Sequence, residues 1–136
     1  MTDEEFIAEL ESCRLPEHRF DHAAHVRGGF LYLRWQKFPQ AAARMCTTIE
    51  TFASSLGKAD RYHETITIGF MALIQEHLCR RGDGGGWEGF KAQNPELLRK
   101  DALLAYYPRA VLESAEARAR FVLLPMSQAP RLDAQS

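Results

Sequence analysis

The chain has 136 residues, 46% of them hydrophobic and 26% charged, which is the size of one domain and a balance able to bury enough apolar surface to offset chain entropy. Lys and Arg number 17 against 18 Asp and Glu, a formal net charge of -1, and the basic residues are scattered, so no field draws in a polyanion and nucleic acid is not an expected partner. No stretch approaches the roughly 18 apolar residues of a membrane span, and the start Met1-Thr2-Asp3-Glu4-Glu5 is acidic where a signal peptide is basic. A cytoplasmic protein with no membrane partner is expected. Cys13, Cys46 and Cys79 are an odd number, which argues against a disulfide framework.

A first helix is expected from about Asp3 to Ser12, with Thr2 and Glu5 in capping-box positions and Phe6, Leu10 and Cys13 on one stripe. Pro16 follows its end. Asp21 is a good N-cap for a second helix running through Val26, Phe30 and Leu33 toward Gln36. Gly28 and Gly29 inside it cost about 1 kcal/mol each relative to Ala, which implies close approach by another helix. Pro39 fits the first turn of a third helix, where Ala42, Met45, Cys46, Ile49, Phe52, Ala53 and Leu56 recur at helical spacing before Gly57. Asp60 is the expected cap of a fourth, with Ile66, Phe70, Leu73, Ile74 and Leu78 facing inward up to the break at Gly82-Asp83-Gly84-Gly85-Gly86. Shorter pieces follow: Trp87 to Ala92, a helix opened by Asn94-Pro95 and lasting to about Tyr106, then Arg109 to Leu112 and Ser114 to about Phe121. The pattern predicts an all-α fold, a small bundle of about four main helices with a short-helix C-terminal wrap. Residues 1–125 form the single domain, and 126–136 read as a flexible tail.

The short connections on either side of the third helix make neighbouring helices antiparallel. The second and fourth helices then run parallel, which brings His22 and His25 to the same end of the bundle as His63 and Glu64. His22 and His25 share a helix face, and His63 shares one with Ile66, Thr67, Phe70 and Ile74, so both groups point toward the core. Three imidazoles in that arrangement suit a divalent transition metal (Zn, Fe, Cu, Mn or Ni) with water or substrate in an open position. Glu64, about 100° round the helix from His63, is a candidate ligand, orienter of a ligand or general base. Taken singly, each histidine is more simply a half-exposed or hydrogen-bonded structural residue. The positive ends of the two helices also oppose a cation and favour an anion, with Asp21, Asp60 and Glu64 available to offset them.

Other signals carry less. His18 reads as a solvated loop residue and His77 as a surface one. Gly84, Gly86 and Gly89 fit G-x-G-x-x-G but follow a helix, not a strand, so they read as a turn. Cys46 and Cys79 lie on apolar stripes and read as packing residues. Tyr106-Tyr107 is expected to pack, with one hydroxyl able to line a pocket.

The segments Phe20-Asp21-His22-Ala23-Ala24-His25-Val26-Arg27, Arg61-Tyr62-His63-Glu64-Thr65-Ile66-Thr67 and Lys100-Asp101-Ala102-Leu103-Leu104 together resemble a bacterial family of small helical proteins of unassigned function, from about residue 15 to 125. The H-x-x-H and H-E-T-x-T elements fall on His22, His25, His63, Glu64, Thr65 and Thr67, and Arg27 fits the first motif.

The leading expectation is a metal-binding helical protein; whether it is an enzyme stays open, and if it is one, a metal-dependent hydrolase or oxygenase-type enzyme is expected. His22, His25 and His63 would be its ligands, Glu64 its catalytic carboxylate, and Arg27, Thr67 and Tyr107 its pocket groups. The expected partner is a small anionic molecule, and a homodimer stays open. Two rivals stand beside it: a carboxylate or other anion binder at the paired helix starts, and a non-catalytic interaction module built on the hairpin from Phe30 to Met45, with Tyr32, Trp35 and Ala41 to Ala43 presenting a groove to a peptide.

Overall fold

In the computed structural model, which describes residues 1–124, the described residues are helical with no strand. The expected C-terminal tail lies outside them. Helix α1 (Asp3–Glu11) starts from a complete capping box in which the Thr2 hydroxyl accepts from the Glu5 N–H at 3.0 Å and the Glu5 carboxylate accepts from the Thr2 N–H at 2.7 Å. Helix α2 (His22–Trp35) starts where Asp21 accepts from the Ala24 N–H at 2.9 Å. Helix α3 (Phe38–Ser55) carries Pro39 in its first turn, as the sequence predicts.

Helix α4 (Glu64–Arg81) departs from expectation at its start. Asp60 lies in a short 3-10 turn, Ala59–Arg61, and the cap is His63, whose Nδ1 accepts from the Ile66 N–H at 3.1 Å. An imidazole lone pair thus does what a carboxylate or hydroxyl oxygen usually does at that position.

Helices α2, α3 and α4 pack on one another around Phe30, Leu31, Tyr32, Met45, Phe52, Met71 and Ile74, with Phe6 and Leu10 of α1 closing one side. The His22 ring meets Phe70, and Gly29 meets Met71 and Ile74 one turn further on, so α2 and α4 run in the same direction. A Cβ on Gly29 would sit 2.8 Å from both Met71 Sδ and Ile74 Cδ1, the close approach that the glycine pair implied. Tyr32, Ala41 and Ala42 of the α2–α3 hairpin belong to this core, and Trp35 stands out at 42% exposure. Of the residues expected to present a peptide groove, Tyr32, Ala41 and Ala42 are thus taken up by the protein's own core, while Trp35 and Ala43 are exposed.

Beyond the glycine turn comes α5 (Trp87–Gln93), followed by two 3-10 turns, Pro95–Leu98 and Ala102–Ala105, in place of the single helix expected up to Tyr106. The reason lies in two leucines six residues apart. On a continuous helix they would stand about 120° apart, whereas Leu97 packs in the main core and Leu103 in a second cluster with Tyr107 and Leu112, against Gly69 of α4. Breaking the helix at residues 99–101 lets both be buried. Helices α6 (Arg109–Leu112) and α7 (Ala115–Ala119) complete the wrap, and the chain then lies against α4. Thr65, fully buried, fixes that last segment by donating to the Arg120 carbonyl at 2.8 Å and accepting from the Val122 N–H at 3.1 Å.

A histidine-walled cavity as candidate functional site

The shared end of α2 and α4 holds a cavity of about 420 Å³, within the range of about 300–1,000 Å³ usual for small-molecule sites. His22 and His25 from α2, His63 at the cap of α4 and Thr67 from its first turn all border it. Its floor is apolar, made by Met45 and Ile49 of α3 with Phe70, Met71 and Ile74 of α4. The convergence of the three histidines, argued from two short connections, holds in the structure.

Their chemistry differs from ring to ring. For His63, Nδ1 accepts from the Ile66 N–H, so the ring proton is on Nε2, which donates to the Leu112 carbonyl at 2.6 Å. Both nitrogens are engaged, and the ring as it stands offers no lone pair to a metal. His22 gives its Nε2–H to the Leu97 carbonyl at 3.0 Å, because a carbonyl can only accept. That fixes the tautomer with the lone pair on Nδ1. His25 lies against Phe20, ring centroids 3.9 Å apart, and neither of its nitrogens has a hydrogen-bond partner among the described residues. Burial pushes His25 down to about 4, with the neighbouring His22 adding to the effect. His22 is lowered too, chiefly by burial and with Lys100 contributing, against the hydrogen bond to Leu97. Both rings are therefore neutral near pH 7. Among the described residues, no group of three or more His, Cys, Asp or Glu side chains is arranged to hold a metal ion.

Several expected pocket groups lie elsewhere. Arg27 points to the opposite side of α2, where it pairs with Asp3 at 2.8 Å and covers the Phe6 ring, locking α1 onto α2. It does not border the cavity. Tyr107 is buried in the second cluster, its hydroxyl donating to the Val122 carbonyl at 2.7 Å. Glu64 does not itself border the cavity; it accepts from the hydroxyl of Tyr62, which does. Cys46 stands beside that pair, and burial first, then the Glu64 charge, raises its thiol, while Tyr62 lowers it in part. The result is an inert neutral thiol, in keeping with the packing role expected of it. Cys79, by contrast, is exposed rather than on a packed stripe. His77 is not a plain surface residue either, since its Nδ1 bonds the fully buried Asn94 at 2.7 Å and ties α4 to the residues after α5.

Two residues that sequence reasoning did not assign complete the site. Arg61 and Lys100 border the cavity from outside α2 and α4, both exposed, and neither side chain has an ion pair or hydrogen bond among the described residues. Both stand in the motif segments that carry the family resemblance, which was the available signal. The sequence pattern places Lys100 in mid-helix, whereas the break at residues 99–101 turns it toward the cavity. Asp21 is the acidic member of the rim, and its carboxylate is already used to cap α2.

No family model, no curated protein and no solved structure matches this chain. The class that fold and site define is thus an all-helical domain with a histidine-walled, apolar-floored cavity and a cationic rim.

Proposed function

We propose that the protein binds a small molecule with an apolar body and one anionic group, the body within the cavity and the anion at Arg61 and Lys100. The observation that carries this reading is the pairing of an apolar floor with two cations on one rim that have no ion pair or hydrogen bond among the described residues. Neutral His22 and His25 suit such a ligand, because the wall carries no buried charge and offers hydrogen-bonding nitrogens for orientation. Calorimetric titration with octanoate tests it. One-to-one binding is expected, about tenfold weaker in Lys100→Ala, since a charge-assisted hydrogen bond is lost, and lost in Val26→Phe, which fills the cavity. No binding by a folded wild type, or equal binding by all three, contradicts it.

A second reading keeps the expected metal. It is favoured by the Nδ1 lone pair of His22 and the ring of His25, neither with a hydrogen-bond partner among the described residues, two neutral imidazoles one helical turn apart. With His63 committed to backbone partners, the set is two histidines plus water or the anionic ligand itself, with Zn, Fe, Cu, Mn and Ni all open. Elemental analysis after reconstitution with zinc tests it: a stoichiometric ion lost in His22→Ala and His25→Ala but kept in His63→Asn supports this reading, and a metal-free wild type ends it.

A further inference from the structure

Beside the main cavity lies a second one of about 330 Å³, and the two share His63, Ile66 and Lys100 as a common wall. Their characters differ. The second is bordered by Lys100, Arg109 and Arg118 against Asp101 and Glu113. Asp101 is held by Arg99 at 3.3 Å, which reduces its claim on the cations facing the cavity. Arg109 has no ion pair or side-chain hydrogen bond among the described residues. Arg118 is positioned by its own contacts: one guanidinium nitrogen donates to the Asp60 and Tyr62 carbonyls at 3.1 and 3.3 Å, and its other donors have no partner among the described residues. The side walls come from α6, α7 and the break at residues 99–101, so the shape of this cavity depends on the same interruption that turns Lys100 inward.

From this adjacency we infer that the second cavity is an anion subsite for a phosphate group, and that the ligand of the main cavity is an organic phosphate or diphosphate, not a simple carboxylate. The inference rests on the proposed ligand-binding reading of the main cavity and names its ligand class. A carboxylate carries one charge and two acceptor oxygens, which Arg61 and Lys100 satisfy at the rim. A phosphate monoester carries close to two charges and three acceptor oxygens, and the planar forks of Arg109 and Arg118 beside Lys100 match that demand. Lys100, common to both cavities, marks where the apolar body ends and the anionic group begins.

Titration of octanoate and octyl phosphate into wild type and Arg109→Ala tests the assignment, with salt held constant. Arg109 is exposed on a four-residue helix, and unchanged thermal melting will show that its variant folds. Octyl phosphate is expected to bind about tenfold more tightly than octanoate in wild type, and Arg109→Ala is expected to remove that advantage while leaving octanoate unaffected. Equal affinity for the two ligands, or an advantage that survives the substitution, overturns the phosphate subsite and leaves the main cavity reading standing. If neither ligand binds, both readings fall together.

Discussion

The Nε2–H of His63 is donated to the carbonyl of Leu112, 49 residues away, at 2.6 Å, while Nδ1 of the same ring caps α4 by accepting from Ile66. One side chain thus starts the fourth helix and holds the C-terminal wrap against it. His63→Ala removes a cap, worth about 1 kcal/mol, and leaves the buried Leu112 carbonyl without a partner, so a loss of about 2–3 kcal/mol is expected in urea unfolding. His63→Asn keeps an oxygen acceptor at the cap and should recover only the first part of that loss. Equal stability of both variants and wild type would contradict the structural role.

Acid should destabilise the fold through His25. Its folded-state value of about 4 lies below the ordinary histidine value of 6.5, so between these values the unfolded chain binds more protons. Stability is then full above about pH 6.5 and falls as the pH drops toward 4. The ceiling on the loss is about 3 kcal/mol, and His22, lowered in the same direction, adds to the slope. In metal-free protein His25→Gln should flatten the dependence of melting temperature on pH between 7 and 4.5. A slope as steep as wild type would place the titration elsewhere.

Gly29 separates packing from propensity. Gly29→Ala gains helix propensity of about 1 kcal/mol, but its Cβ meets Met71 Sδ and Ile74 Cδ1 at 2.8 Å. Those two side chains border the cavity, so the relief available to them is to swing into it. The expected result is a small net change in stability together with weaker ligand binding. Gly28→Ala meets the end of Met45 at 3.3 Å and Leu10 Cδ2 at 3.8 Å. Met45 also borders the cavity, but these looser contacts ask for only a few tenths of an ångström of movement, so this variant should bind ligand nearly as wild type does. Comparing octanoate affinities of the two variants checks this, and unaltered binding by Gly29→Ala would count against it.

The segment at residues 120–122 is held by side chains and not by a sheet. Thr65→Val keeps the shape of the residue but removes both the donor to Arg120 and the acceptor for Val122, a cost of about 2 kcal/mol. Hydrogen exchange at the Val122 amide should accelerate at least tenfold while amides in α3 keep their protection. Unchanged exchange at Val122 would show that Tyr107, which donates to the Val122 carbonyl, suffices alone.

Periodicity and connectivity made the bundle legible in the sequence, because the stripes of α1 and α3 and the short links around α3 leave little freedom in how α2 and α4 meet. The individual tasks of the motif residues were not legible. Whether a histidine ring caps a helix, as His63 does, or faces a cavity, as His25 does, depends on partners such as Leu112 and Phe20 that pattern alone does not place. Arg27 and Thr65 sit in the most motif-like segments and serve to lock α1 and the C-terminal segment. Lys100 was obscured for a different reason: only the competing burial of Leu97 and Leu103 breaks the helix that would have carried it away.

The most direct measurement is nuclear magnetic resonance of the protein with labelled histidine and isoleucine, titrated with octanoate near pH 7. Saturable shifts are predicted for the rings of His22 and His25 and the methyl groups of Ile49 and Ile74, all at the cavity wall, with His18 and His77 unmoved. Shifts confined to those two outer histidines, or absent altogether, would contradict the claim that this cavity is the binding site.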